Sequence, residues 1–133
     1  MELKKVHIFD FYTLMPMKKA IIFHNNACGT SRKVLNVLKE LNFEIEIRDY
    51  IKNPPSIIEL KEILSKAGLS AMDLLRKNNK IYKESFEGNA FTNDEWLIAI
   101  SKNPSILERP IVIIENKAIL ARPADKIKEL FRH

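Results

Sequence analysis

The stretch from Lys19 to Asp49, KAIIF-HNNACGTSR-KVLNVLKELN-FEIEIRD, decides the fold because its hydrophobic period changes twice. Lys19 to Phe23 is a short isoleucine-rich run bounded by a polar loop, the pattern of a parallel strand buried on both faces. Val34, Leu35, Val37, Leu38 and Leu41 then recur at the spacing of one helical face. After them Phe43, Ile45 and Ile47 alternate with Glu44, Glu46 and Arg48, predicting a strand covered on one side. A strand, a loop, a helix and a second strand therefore follow in order. The loop holds Cys28, the only cysteine in 133 residues.

Beyond this unit the pattern changes at Asn53-Pro54-Pro55. Ser56 with Glu59, Ser70 with Asp73, and Thr92 with Glu95 are three capping-box signatures, each opening a segment with helical spacing. Residues 54–103 thus read as a mostly helical insert. Strands return in RPIVIIEN (109–116) and KAILARP (117–123), with Asn116-Lys117 as the expected tight turn. An amphipathic helix using Ile127, Leu130 and Phe131 closes the chain. The order β-α-β, helical insert, β-β-α is that of an α/β, thioredoxin-like (glutaredoxin-like) mixed sheet with a helical insertion. The expected organisation is one domain over 18–133 preceded by an extension, residues 1–17, which reads either as an over-long start or as an added edge strand.

Hydrophobic residues make up 46% and charged residues 29%, the balance of an ordinary folded domain. The formal charge of +5 favours an anionic partner. Lys and Arg are spread rather than blocked, however, and no stacking-aromatic module accompanies them, so a nucleic-acid partner is not expected. No run approaches the roughly 20 apolar residues that span a bilayer, so no membrane partner is expected. Asp10 interrupts the apolar start and no small-residue cleavage site follows, which argues against a signal peptide. One cysteine permits no internal disulfide, which fits a reducing cytoplasm. Any redox cycle must then take its second thiol from another molecule.

Cys28 lies just before the helix expected to begin near Ser31. Backbone N–H groups of Gly29, Thr30 and Ser31 would point at it, and the helix dipole would favour a thiolate there. An ordinary thiol is only about 3% ionised at pH 7, and lowering its pKa by about 2 units takes about 2.7 kcal/mol of preferential interaction. The same amides suit an arriving anion. Gly29 would allow close backbone approach, while Thr30 or Ser31 could cap the helix. A lone cysteine is more often a small buried hydrophobe. Its neighbours Asn25, Asn26, Gly29, Thr30, Ser31 and Arg32 favour the reagent instead. His24, at the end of the strand, reads equally as a support for the loop or thiolate and as a structural histidine. His7 and His133 lie at the chain ends, so no metal site is expected.

Arg76, Arg109 and Arg122 all sit where elements are expected to end, two of them before prolines. Guanidinium groups stay charged and bind tetrahedral oxyanions in bidentate fashion. In a thioredoxin-like fold the strand begun by Pro110 runs beside the Cys28 loop, and Pro110 would be cis.

HNNACGTSR (24–32), LLRKN (74–78), ERPIVI (108–113) and ARP (121–123), in this order, resemble the glutathione- and glutaredoxin-coupled arsenate reductase family, the ArsC type, over about residues 18–133. The resemblance implies an oxidoreductase of arsenic detoxification that reduces arsenate to arsenite. It makes Cys28 the nucleophile, and Arg76, Arg109 and Arg122 the residues that bind the oxyanion. It also implies supporting roles for His24, Gly29, Thr30, Ser31 and Pro110, with glutathione as co-substrate, glutaredoxin as partner and no bound cofactor. Two other readings stand beside it. Spx-type regulators, which bind RNA polymerase, are similar in fold but sense oxidants through C-x-x-C, and here the fourth position is Ser31. A glutathione-dependent reductase of the same family with another substrate would carry the same motifs.

Overall fold

The computed structural model of the chain describes residues 18–131. The extension read over residues 1–17 and the terminal histidines His7 and His133 lie outside the described residues. Strand β1 (Lys19–His24), helix α1 (Gly29–Glu40) and strand β2 (Glu44–Asp49) form the β-α-β opening, and β1 and β2 run parallel from Lys19↔Glu44 to His24↔Asp49. The insert holds α2 (Ile57–Ala67), a 3-10 turn at Ala71–Leu74, α3 (Lys80–Ser85), α4 (Asn93–Lys102) and a second 3-10 turn at Pro104–Ile106. Strand β3 (Ile111–Ile114) returns antiparallel to β1, and β4 (Lys117–Leu120) pairs antiparallel with β3. The sheet order β2-β1-β3-β4 is the thioredoxin-like arrangement that the element order predicts.

β1 is central, which is why its sequence is apolar on both faces. Ala20 and Ile22 join Val34, Leu38, Val112 and Ile127 in a core under α1 and the C-terminal segment. Phe23 joins Leu60, Leu97, Ile100 and Ile111 in a second core under the insert, with Ile21 packed against it. Burial of each such large side chain is worth roughly 1.5–3 kcal/mol, so the two cores hold the sheet between two helical layers. In the insert, Trp96 of α4 packs against Phe91, with ring centroids 4.8 Å apart, and against Tyr82 of α3 at 6.1 Å.

Four expectations shift in detail. On β2, Ile47 is 52% exposed while Arg48 turns inward. The Arg48 guanidinium donates to both Glu59 carboxylate oxygens, at 2.7 and 3.1 Å, and to the carbonyls of Asn53 and Pro54. It also lies 5.4 Å from the centre of the Phe23 ring, and its hydrogen bond holds the Glu59 carboxyl below the usual carboxylate range. Among the described residues β2 is an edge strand, so this ion pair outweighs the burial of one isoleucine. The Ser70-Asp73 box forms but opens only a 3-10 turn, because Leu75 leaves it to bridge Leu107. The β3-β4 turn is Glu115-Asn116, one residue earlier than expected, with Glu115 at φ 56°. The final segment, Ala124–Phe131, is 3-10 helix, anchored by buried Ile127 and by Phe131 against Phe43 at 5.8 Å. Among the described residues, no helix is long and apolar enough to cross a membrane.

Candidate active site

The strand register brings one end of every strand to a single edge of the sheet. β1 and β2 finish there side by side at His24↔Asp49, so the next residues, Asn25 and Tyr50, are neighbours. β3 starts at the same edge and β4 ends there. Ala121 N–H donates to the Pro110 carbonyl at 2.9 Å, and one Arg122 Nη–H donates to the Arg109 carbonyl at 3.3 Å. Tyr50, Asn25, Arg109 and Arg122 therefore border the mouth of the Cys28 loop. The ends of parallel strands are where α/β sheets bind ligands.

The loop is held by its own polar groups. Asn25 Oδ1 accepts from Ala27 N–H at 2.9 Å, the Asn25 carbonyl accepts from Cys28 N–H at 2.9 Å, and an Arg32 Nη–H donates to the Asn26 carbonyl at 2.8 Å. This web brings the chain into α1 earlier than the sequence suggests. The helix begins at Gly29, and Cys28 is the N-cap residue, at φ −94° and ψ 120°, without a side-chain capping hydrogen bond. The expectation that Thr30 or Ser31 caps the helix is thus corrected. Both lie inside the first turn, and the fully buried Ser31 hydroxyl instead accepts from Asn25 N–H at 3.5 Å. Gly29 is not demanded by the protein's own packing, since a Cβ there would meet only Arg32 Nη2 at an ordinary 3.7 Å.

With its sulfur at the helix start, Cys28 is 7% exposed. Burial pushes the thiol up, but the Ser31 N–H, the Arg122 guanidinium, the Arg109 guanidinium and the Ser31 hydroxyl outweigh it and lower the pKa from 9.0 to about 6. An Arg122 Nη–H donates to the sulfur at 3.6 Å. The arginine is steadied from behind by Glu108, whose carboxylate lies 3.8 Å from Arg122 Nε and accepts from the Arg109 N–H at 3.3 Å. Both Arg109-Pro110 and Arg122-Pro123 are cis, the first as expected from the sequence.

Of the three arginines expected to converge, Arg122 donates to the sulfur, and the Arg109 guanidinium acts on it by helping to lower the thiol pKa. Arg76 does not touch Cys28. It follows the Leu75↔Leu107 bridge rather than ending a helix, and its N–H donates to the Ile106 carbonyl at 2.7 Å. Its charge is felt at the Tyr50 hydroxyl, which puts it on the same side of the site. His24 is buried at the end of β1, and its Nδ1 has no hydrogen-bond partner among the described residues.

Sequence reasoning missed Tyr50 and Glu108. Glu108 adjoins Arg109, and a carboxylate beside an arginine was a legible signal. Tyr50 follows β2 at its carboxyl end, which would have marked it had the strand's parallel pairing been used. Tyr50 is fully buried, yet its hydroxyl has no hydrogen-bond partner among the described residues. Burial raises its pKa against the lowering effects of Arg109, Asn25 and Arg76. Chemically the site is a thiolate facing buried and half-buried cationic donors, an arrangement that can attack and hold an oxyanion.

Comparison with known proteins agrees with this geometry. The ArsC family profile matches residues 23–130, from the strand before the loop to the C-terminal segment. The chain is 40% identical over 114 residues to an arsenate reductase of Neisseria meningitidis, covering 84% of this chain and 97% of that protein. It is 35% identical over 115 residues to an arsenate reductase of Acidiphilium multivorum, covering 86% and 82%. Its fold superposes on the solved arsenate reductase of Vibrio cholerae with a TM-score of 0.81 at 28% identity, covering 86% of this chain and 98% of that one. With the profile spanning the Cys28 loop and all three arginines, the chain belongs to the ArsC family.

Proposed function

We propose that the protein reduces arsenate to arsenite, with Cys28 as nucleophile, glutathione as the second thiol and glutaredoxin as the final reductant. The observation that carries this reading is the state of the Cys28 sulfur, which titrates at about 6 with an Arg122 donor 3.6 Å away. At pH 7 such a thiol is about nine-tenths ionised. Relatives named arsenate reductase support arsenate as the oxyanion.

In the first step the Cys28 thiolate attacks arsenic; an As–S bond forms, an As–O bond breaks, and the departing oxygen leaves as water after protonation. Arsenic stays pentavalent in the adduct. Arg122 and Arg109, with Arg76 behind them, neutralise the oxygens around it. A glutathione thiolate next attacks the Cys28 sulfur. The S–S bond forms, the S–As pair stays with arsenic, and arsenite leaves as As(III). Glutaredoxin then reduces the mixed disulfide and restores the thiol, as a reducing cytoplasm would allow. The single cysteine supports an external second thiol, since the position that completes C-x-x-C is the buried hydroxyl of Ser31.

The test is NADPH-coupled arsenate reduction by the purified protein with either glutathione plus glutaredoxin or thioredoxin as electron donor. Turnover is expected only with the first. Equal turnover with thioredoxin would overturn the coupling, and none with either would overturn the reductase reading.

A further inference from the structure

We propose that Tyr50 is a positioning residue of the anion site, its buried hydroxyl taking up the Arg109 guanidinium once an oxyanion binds beside the Cys28 sulfur. The inference rests on Arg109 binding the oxyanion, and it adds a neutral group to a site otherwise read as cationic.

Three observations lead to it. First, the parallel register ends at His24↔Asp49, so Tyr50 stands beside Asn25, whose carbonyl accepts from the Cys28 N–H. Second, Tyr50 is 0% exposed and Arg109 7% exposed, and among the described residues the Tyr50 hydroxyl and Arg109 Nε both lack a hydrogen-bond partner. Buried polar atoms are seldom left unmatched, and two at the same end of the sheet mark a place completed by something that binds. Third, the Arg109 guanidinium acts on the Cys28 sulfur and on the Tyr50 hydroxyl alike, while Arg76 reaches the hydroxyl by charge.

Arg109 and Tyr50 thus lie at the same sheet end as the Cys28 loop, each with a buried polar atom still to be matched. When an oxyanion arrives and draws the guanidinium forward, the phenol oxygen is placed to accept from Arg109 Nε–H. That hydrogen bond sets which N–H groups face the anion. A structural role predicts something different. A hydroxyl that makes no hydrogen bond in the resting protein can be removed without loss, and Tyr50→Phe keeps the ring in the core.

The experiment compares wild type, Tyr50→Phe, Arg109→Lys and the double variant. One assay is arsenate reduction; the other is alkylation of Cys28 by iodoacetamide against pH, with and without inorganic arsenate as protectant. For Tyr50→Phe we expect about a tenfold rise in KM for arsenate with kcat within about twofold, and equally weakened protection. The midpoint of alkylation without arsenate should stay at the wild-type value, because the hydroxyl makes no hydrogen bond before the anion arrives. In the Arg109→Lys background the added Phe should change neither KM nor protection, because the group it positions is gone. Unchanged KM and protection in Tyr50→Phe would overturn the proposal, as would an effect of equal size in both backgrounds. Alkylation needs no turnover, so a wild type that fails to reduce arsenate sinks the reductase reading while the protection data still decide the role of Tyr50.

Discussion

The helical insert and the Cys28 edge of the sheet follow opposite rules. In the insert the expected caps form: Ser56 with Glu59 and Thr92 with Glu95 exchange hydrogen bonds, and Ser70 donates both its N–H and its hydroxyl to the Asp73 carboxylate. Asn79 adds a further cap, accepting from the N–H groups of Ile81 and Tyr82. At the sheet edge, helix α1 starts on a cysteine with no side-chain cap, and His24 Nδ1, Tyr50 Oη and Arg109 Nε stand buried without partners among the described residues. One region spends its polar groups on its own stability. The other keeps them available, as functional sites commonly do.

The contrast makes substitutions at the edge costly to chemistry and cheap to stability, with the reverse in the insert. The largest effect is expected from Cys28→Ser, which should abolish arsenate reduction to background while, at a pH well below 6 where the wild-type thiol is protonated, the protein unfolds in urea much as wild type does. Normal turnover by this variant would break the contrast at its centre. Next come the arginines. Arg122→Ala and Arg109→Ala should lower kcat/KM by about 10²-fold each, following loss of a charged donor to the reacting anion. Arg76→Ala, which does not touch the sulfur, should cost nearer tenfold. Equal losses at all three positions would show that Arg76 moves onto the substrate.

A third expectation concerns pH. Cys28 titrates at about 6 in the folded chain against 9.0 ordinarily, so the folded state holds fewer protons between those values. Stability therefore rises with pH across that window, is fully present above 9.0, and is lost as pH falls through about 6. Urea unfolding at a series of pH values should show this slope in wild type and a flatter one in Cys28→Ser. The smallest effects belong to the insert. Ser56→Ala and Thr92→Ala should each lower unfolding stability by about 1 kcal/mol with unchanged kcat and KM. A kinetic defect there would mean that the insert moves the site rather than only covering the sheet.

How far each region was legible follows from the range of its interactions. The capping boxes were readable because partner and cap lie three residues apart. The β1-α1-β2 unit was readable because its hydrophobic period reports which face is covered. Arg48 was misread because its partner Glu59 lies on another element and β2 proved to be an edge among the described residues. The 3-10 turn at Ala71–Leu74 was expected as a longer helix, because the Leu75↔Leu107 bridge that ends it joins positions far apart in the chain. Within the site, the polar company of Cys28 and the arginine-proline pairs were visible as motifs. The convergence of the arginines on Cys28 was expected only through the family resemblance, because no local pattern reports the distance between residues so far apart in the chain.

By itself, then, the amino-acid order determined the element sequence, the placing of a lone thiol at a helix start, and the absence of a second cysteine to resolve it. Each is a matter of local period, short-range hydrogen bonding or composition. Only the tertiary structure decided that two of the three arginines act on the sulfur, that Arg76 stands back, and that Tyr50 and Glu108 belong to the site. These depend on strand register and burial, where residues remote in the chain meet at one edge and share a single electrostatic field.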